Sequence, residues 1–257
     1  MILCIDIGNT NVGWGIFEGG KLRASWRTVT SREKEADEWG LEATLFLKHF
    51  GLTGKEIESV LVSSVVPPLN SPFREMSRRY FGADPLFAGE ALKVPMPVLT
   101  DYPHEVGADL LVGAYSAAVQ HGGPLIVADF GTATTFCAVS AKGEFLGTAI
   151  APGIAISAEA LFSRAAKLPR IQFKKPPSPI GKNTLHSMES GFLYGFVGQA
   201  EKIIRMMKQE IEGETKVIAT GGLAELISAE TKEISRVEQD LILVGLRLLH
   251  DAARAAG

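Results

Sequence analysis

Two acidic turns in this chain carry the same residue types in the same order. Asp6-Ile7-Gly8-Asn9-Thr10-Asn11 follows an apolar run over 2–5, and Asp129-Phe130-Gly131-Thr132-Ala133-Thr134 follows one over 125–128. Glycine allows a tight turn and lets a ligand approach the main chain. Asn and Thr add side-chain donors beside exposed backbone N–H groups, a combination suited to phosphate. A carboxylate does not bind phosphate directly, but it can hold a Mg²⁺ ion that does. Asp6 and Asp129 are therefore candidate metal-holding residues. Gly8, Asn9, Thr10, Asn11, Gly131, Thr132 and Thr134 are candidate phosphate-binding residues. One such turn alone would be ordinary turn chemistry. Two, each set between strand-like runs (12–17 and 135–139 follow them), point to a nucleotide triphosphate gripped from both sides.

A third aspartate, Asp109, opens a small-residue helix expected over 107–120. An acid at that place commonly serves as a cap or a first-turn charge. The alternative is a general base. Phosphoryl transfer needs Mg²⁺, donors around the phosphates and a carboxylate that orients or deprotonates the attacking hydroxyl, and three aspartates at element ends could divide those roles. Gly221 and Gly222 follow a strand pattern and open a helix, so a base or ribose could lie against their backbone. In the loop entering the long helix expected over 188–211, Asn183, Thr184 and Ser187 can cap, and Thr184 could equally hydrogen-bond a substrate. His186 belongs on the exposed or capping face. No Ser/His/Asp or Cys/His arrangement stands out, and no P-loop signature is present. Cys4 and Cys137, each near an acidic turn, read as small buried hydrophobes; their number and spacing support neither a metal site nor a disulfide framework.

The elements that must position these residues alternate between strand and helix patterns, the mark of an α/β architecture. Strands are expected over 22–29, 59–66 and 143–150. Helices are expected over 35–50 (with Trp39, Leu41, Leu45, Leu47 and Phe50 largely on one side), 70–81, 155–166 and 240–253. Pro67 and Pro68 end the strand pattern over 59–66, and 168–179 is a Pro- and Lys-rich loop. The chain thus reads as two α/β domains, 1–118 and 119–257, each opening on an acidic turn, with the site in the cleft between them. With 46% hydrophobic and 21% charged residues, its 257 residues can bury a sizeable core. A formal net charge of −3 and the lack of a basic stripe give no reason to expect a nucleic-acid partner. No secretory signal is visible and the most apolar stretch, 147–158, is broken by Pro152 and Gly153, so a cytoplasmic protein with no membrane partner is expected.

Taken in order, these motifs resemble the type III pantothenate kinases, the Bvg accessory factor family. The resemblance runs through Asp6 to Thr10, Asp129 to Thr135, Ala151-Pro152-Gly153, Gly181 to Thr184, Ser190-Gly191, Tyr194-Gly195, Thr220 to Gly222 and the C-terminal segment around Gly245. Any one motif is loose, and the ordered set is specific. The resemblance implies the duplicated actin/hexokinase-like (ribonuclease H-like) fold. It implies ATP-dependent phosphorylation of the 4′-hydroxyl of pantothenate, the first step toward coenzyme A. It also implies Mg²⁺ with ATP, a monovalent cation such as K⁺ or NH₄⁺, and a homodimer with pantothenate near the subunit interface. By matching positions, Asp109 is the base, Tyr102, Gly107, Ala108, Asp109 and Thr184 face pantothenate, and Gly221 and Gly222 lie on the adenosine side. The family usually reads Gly-Ala-Asp-Arg, and this chain has Leu110 in place of the Arg. That removes a fork of donors suited to a carboxylate; Arg164, Lys167 and Lys182 are the candidate substitutes. An aromatic common three residues before the Pro is here Thr100, with Tyr102 nearby. Two other readings keep the fold: phosphorylation of another small hydroxy compound, and a non-catalytic nucleotide-binding regulatory protein.

Overall fold

The computed structural model describes residues 1–165 and 168–256; Ala166, where the helix expected over 155–166 would end, and Lys167 lie outside the described residues. In chain order the elements are β1 (Ile2–Ile7), β2 (Asn11–Glu18), β3 (Lys21–Val29), α1 (Ala36–His49), β4 (Ser59–Ser64), α2 (Pro67–Phe81), β5 (Leu86–Phe87) and α3 (Ala108–His121). There follow β6 (Leu125–Phe130), β7 (Ala133–Val139), β8 (Phe145–Pro152), α4 (Ile154–Arg164), α5 (Thr184–Glu210), β9 (Lys216–Thr220), α6 (Ala224–Ser228), β10 (Arg236–Val237) and α7 (Leu241–Ala256). Short 3₁₀ turns at Gly54–Glu56 and Pro103–Glu105 link elements.

Two compact units emerge. The first comprises Met1–Met96, Tyr102–Ser116 and Asp240–Gly257, the second Pro97–Asp101 and Ala117–Gln239. The division expected at 118/119 left the last 18 residues with the second half; the structure places Asp240–Gly257 with the first. The reason is packing: Leu243, Leu246 and Leu249 of α7 are buried in one cluster with Cys4, Phe17 and Leu61 of the first sheet and Val112 of α3.

The sheets repeat one topology. The first runs β3-β2-β1-β4-β5 and the second β10-β9-β6-β7-β8. In each, the central strand (β1 or β6) pairs antiparallel with the next strand and parallel with the strand that returns after a helix. The registers correspond: Asp6 is level with Gly13 and Ser63, Asp129 with Thr135 and Thr220. Strand alternation then sorts the side chains. Leu3, Ile5 and Ile7 join the cluster formed with α1 and α2, so Cys4 and Asp6 face the side covered by α3 and α7. In the second unit Ile126, Ala128 and Phe130 meet Leu193, Val197 and Ile204 of α5, and Asp129 faces the opposite side.

The α1/α2 side of the first sheet is an aromatic layer. Trp14 stacks on Trp26 at 5.8 Å between centroids and meets Phe73 at 5.7 Å, and Trp39 meets Phe73 at 5.0 Å. The Trp14 indole donates to Thr28 Oγ1 at 3.0 Å. Such pairs add about 0.5–1.5 kcal/mol each beyond their buried area, which gives β1 a firm floor. Trp39 and Leu47 are buried as expected, but Leu41 and Leu45 are 59% and 68% exposed. The buried face of α1 runs instead through Ala36, Trp39, Gly40, Ala43 and Leu47, at true helical spacing. Pro67 and Pro68 do more than end a strand: they open α2, where a missing N–H costs nothing. The two-residue strands β5 and β10 carry no periodicity long enough to be read.

Candidate functional site

The first acidic turn spans the gap between β1 and β2. Gly8 N donates to Asn11 O (3.0 Å), closing a four-residue loop. Thr30, just past β3, fastens it from outside: its N–H donates to Thr10 O (3.0 Å) and its hydroxyl to Gly8 O (2.7 Å). Arg32 donates to Asn9 Oδ1 at 3.3 Å. Asn9, Thr10 and Asn11 are exposed. Ser63 lies beside Asp6 on the same sheet face; its hydroxyl is buried with no hydrogen-bond partner among the described residues.

Asp109 stands in the first turn of α3, on the side of the sheet that Asp6 also faces. It is the second helical residue and not the cap. Its Oδ1 accepts from Leu110 N at 2.8 Å. Burial pushes its proton affinity above the ordinary carboxylate value, and hydrogen bonds from the Leu110 and Asp109 amides only partly oppose that. Desolvation here outweighs the stabilisation that first-turn amides give an anion. A carboxylate with raised proton affinity is suited to accept a proton from a hydroxyl. Gly107 is packed so tightly that a Cβ there would sit 2.6 Å from Asp109 Oδ1. Tyr102 is exposed, its ring edge-on to His104 at 6.3 Å.

The second acidic turn is one residue shorter. Gly131 N donates to Ala133 O (3.1 Å), and the ladder resumes at Phe130 opposite Thr134. Gly131 and Thr132 are exposed; the Thr134 hydroxyl, in contrast, is buried with no hydrogen-bond partner among the described residues. Gly221, at φ +94°, closes over this turn: a Cβ would lie 2.4 Å from Asp129 Oδ1 and 2.7 Å from Phe130 C. Gly222 beside it is exposed. Gly153, ahead of α4, reaches the same turn from another direction, with a Cβ position 2.1 Å from Thr132 O. The structure thus brings Asp129, Gly131, Thr132 and Gly221 together. Thr30, Ser63 and Gly153 escaped the reading of site residues from sequence: a Thr past a strand and a Gly before a helix have ordinary local explanations.

Thr184 is the first residue of α5. Asn183 is the cap, accepting from His186 N at 2.9 Å, and its amide contacts His186 Nδ1 at 3.2 Å, so His186 belongs to the capping face. Thr184 lines a cavity of about 730 Å³ whose wall follows one face of α5 through Met188, Phe192, Phe196 and Gln199. The Pro- and Lys-rich loop is tied to the unit by Lys174–Glu189 (3.5 Å) and Lys175–Glu230 (2.8 Å).

Among the described residues, no group of three or more His, Cys, Asp or Glu could hold a metal ion by itself. A Mg²⁺ ion that takes one or two carboxylates and completes its shell with phosphate oxygens and water needs no such cage. Asp6 and Asp129, each beside an open glycine turn, fit that mode. No described helix is long and apolar enough to cross a membrane.

The comparisons with known proteins agree with this arrangement. The chain is 49% identical to the type III pantothenate kinase of Myxococcus xanthus (strain DK1622) over 256 residues, covering all of both. Its fold resembles the activator of 2-hydroxyisocaproyl-CoA dehydratase from Clostridium difficile, solved with ADPNP bound (TM-score 0.60, 13% identity, 99% of this chain and 96% of that one). It also resembles the ethanolamine utilization protein EutJ from Carboxydothermus hydrogenoformans (TM-score 0.54, 16% identity, 96% and 89%). At those identities the likeness is one of fold, that of duplicated actin/hexokinase-like domains. The type III pantothenate kinase family model matches residues 2–206, and the chain belongs to that family.

Proposed function

We propose that the protein transfers the γ-phosphoryl group of ATP to the 4′-hydroxyl of pantothenate, with Asp109 as the base. The observation that carries this is the duplication. Asp6 and Asp129 hold one register position in two sheets of one topology, each before an exposed glycine turn. In the mechanism, the amides and hydroxyls of Gly8, Asn9, Thr10, Asn11, Gly131 and Thr132 bind the phosphates, while Thr134, whose hydroxyl is buried, lies behind the turn. Asp6 and Asp129 would hold the cations: Mg²⁺, which would neutralise charge on the phosphates, and a monovalent ion, K⁺ or NH₄⁺. Gly221 and Gly222 take the adenosine side. Tyr102, Gly107, Ala108 and Thr184 orient pantothenate so that its hydroxyl meets Asp109, which accepts the proton as the new P–O bond forms.

We read the protein as a cytoplasmic homodimer, without nucleic-acid or membrane partners. Support for the dimer comes from α5, where Gly191, Gly195 and Gly198 have open space around them. Ile180, Leu185 and Leu161, near that face in sequence or lining its cavity, are exposed. A second copy would cover this surface and bring Thr184 to a shared pantothenate site. One residue favours a second reading of the acceptor: Leu110, in place of the family's Arg, suits an acceptor without a carboxylate. The test is ADP release from MgATP, with and without pantothenate and with and without K⁺ or NH₄⁺. Release that requires both pantothenate and the monovalent ion supports the proposal. Release driven instead by another hydroxy compound in a substrate screen moves the acceptor, and no acceptor-dependent release from folded protein refutes the kinase reading.

A further inference from the structure

The turn at residues 129–132 is touched on two sides by glycines, and the two have different reasons to be glycine. Gly221 has φ +94°, a conformation L side chains rarely adopt. Gly153 has φ −70° and ψ 158°, which any residue can take. It is also the cap of α4, where Ser, Thr, Asn or Asp would serve better. What Gly153 cannot carry is a Cβ: the atom would lie 2.1 Å from Thr132 O and 2.6 Å from Gly131 O. Both carbonyl oxygens therefore rest against the start of α4. A trans peptide points its N–H opposite to its C=O. Holding the Gly131 and Thr132 oxygens against Gly153 turns the Thr132 and Ala133 N–H groups away from α4. At the other side, Gly221 borders Asp129 Oδ1 and the Phe130 backbone, which limits where the carboxylate can swing.

We propose that Gly153 and Gly221 are positioning residues for the second phosphate turn: their missing side chains let the starts of two helical segments press on residues 129–132 and set the turn before any ligand arrives. Gly153 fixes the direction of the turn's amides, and Gly221 fixes the Asp129 carboxylate. The proposal rests on the reading of 129–132 as a phosphate turn, and the test separates the two.

The experiment is calorimetric titration of MgADP into wild type, Gly153→Ala, and a core variant of similar melting temperature such as Ile204→Val, with KM for pantothenate measured alongside. Gly153→Ala is expected to bind MgADP roughly tenfold or more weakly while KM for pantothenate changes by less than about twofold, and Ile204→Val is expected to bind as wild type does. MgADP affinity within about twofold of wild type in Gly153→Ala overturns the positioning role alone. Failure of the wild type to bind MgADP overturns the phosphate-turn reading itself. If Gly153→Ala does not fold, amide order parameters of nucleotide-free wild type decide: values near about 0.85 at Thr132 and Ala133 support a preset turn, and values below about 0.6 overturn it. For Gly221, the melting-temperature loss from Gly221→Ala is expected to be smaller in an Asp129→Ala background, where the carboxylate is gone; equal losses overturn that half.

Discussion

Asp109→Asn separates the charge of this residue from its shape. The amide keeps an oxygen where Oδ1 now accepts from Leu110 N at 2.8 Å, so that bond survives. That bond is worth about 0.5–1.5 kcal/mol, and its retention should leave the first turn of α3 intact. What is lost is the proton acceptor. General base catalysis contributes about 10²–10⁴-fold, and at about 1.36 kcal/mol per decade this raises the barrier by about 3–5 kcal/mol. Steady-state ADP release should therefore fall by at least about a hundredfold, with MgADP binding by calorimetry unchanged. Stability should move the other way. Burial raises the native proton affinity of Asp109 above its ordinary value, so the folded state binds its proton more tightly than the unfolded one. The resulting penalty is absent below the ordinary carboxylate range, grows as pH rises through the window up to the raised native value, and is complete above it. The Asn variant should melt higher than wild type at pH 7 and show no such advantage below about pH 4. The acid limb of kcat/KM in the wild type should also lie above that of an ordinary aspartate. Turnover within about tenfold of wild type would remove Asp109 from the base role, and an unchanged melting temperature at pH 7 would contradict its buried charge.

Other consequences are accessible to simple assays. Leu110→Arg restores the donor fork of the family motif and should lower KM for pantothenate by about tenfold, the value of one charge-assisted hydrogen bond; an unchanged or higher KM would mean that the carboxylate is anchored elsewhere. Leu246→Ala should cost about 2–5 kcal/mol in urea unfolding, because this fully buried residue of α7 packs among Cys4, Phe17 and Leu61; a loss under about 1 kcal/mol would contradict the place of α7 in the first core. Cys4 and Cys137 are both buried, and burial pushes the Cys4 thiol well above its ordinary value, so a thiol reagent should titrate neither until denaturant is added. Prompt labelling of the native protein would refute that burial.

Much of the fold was legible because short-range chemistry and periodicity coincide in it. The acidic turns announce themselves by composition, and each central strand precedes its turn as an unbroken apolar run, as a strand covered on both faces must. Asn183 was readable as one of several caps since a cap is a local event. The position of α7 was not readable. Its apolar stripe shows that it packs against something, but its sequence neighbours, β9 and β10, belong to the second unit, and nothing in the stripe says that its partner is β1. The face of α1 failed for a different reason: Leu41 and Leu45 are hydrophobic enough to suggest core, while the positions that meet α2 and the sheet include Gly40, whose Cα lies against the ring of Tyr80.

The two glycines at the second turn show where sequence reasoning about a site gives out. Gly221 was picked out because a paired glycine between strand and helix is a recognisable turn, and its positive φ is the physical content of that signal. Gly153 has an unremarkable φ, and its need for glycine comes from the carbonyl oxygens of Gly131 and Thr132, in another segment of the chain. A residue kept small for its own backbone leaves a trace in its local sequence. A residue kept small for another segment shows its reason only in three dimensions: Ala151-Pro152-Gly153 stands out as a motif, but nothing in it says that the glycine makes room for the carbonyls of residues 131 and 132.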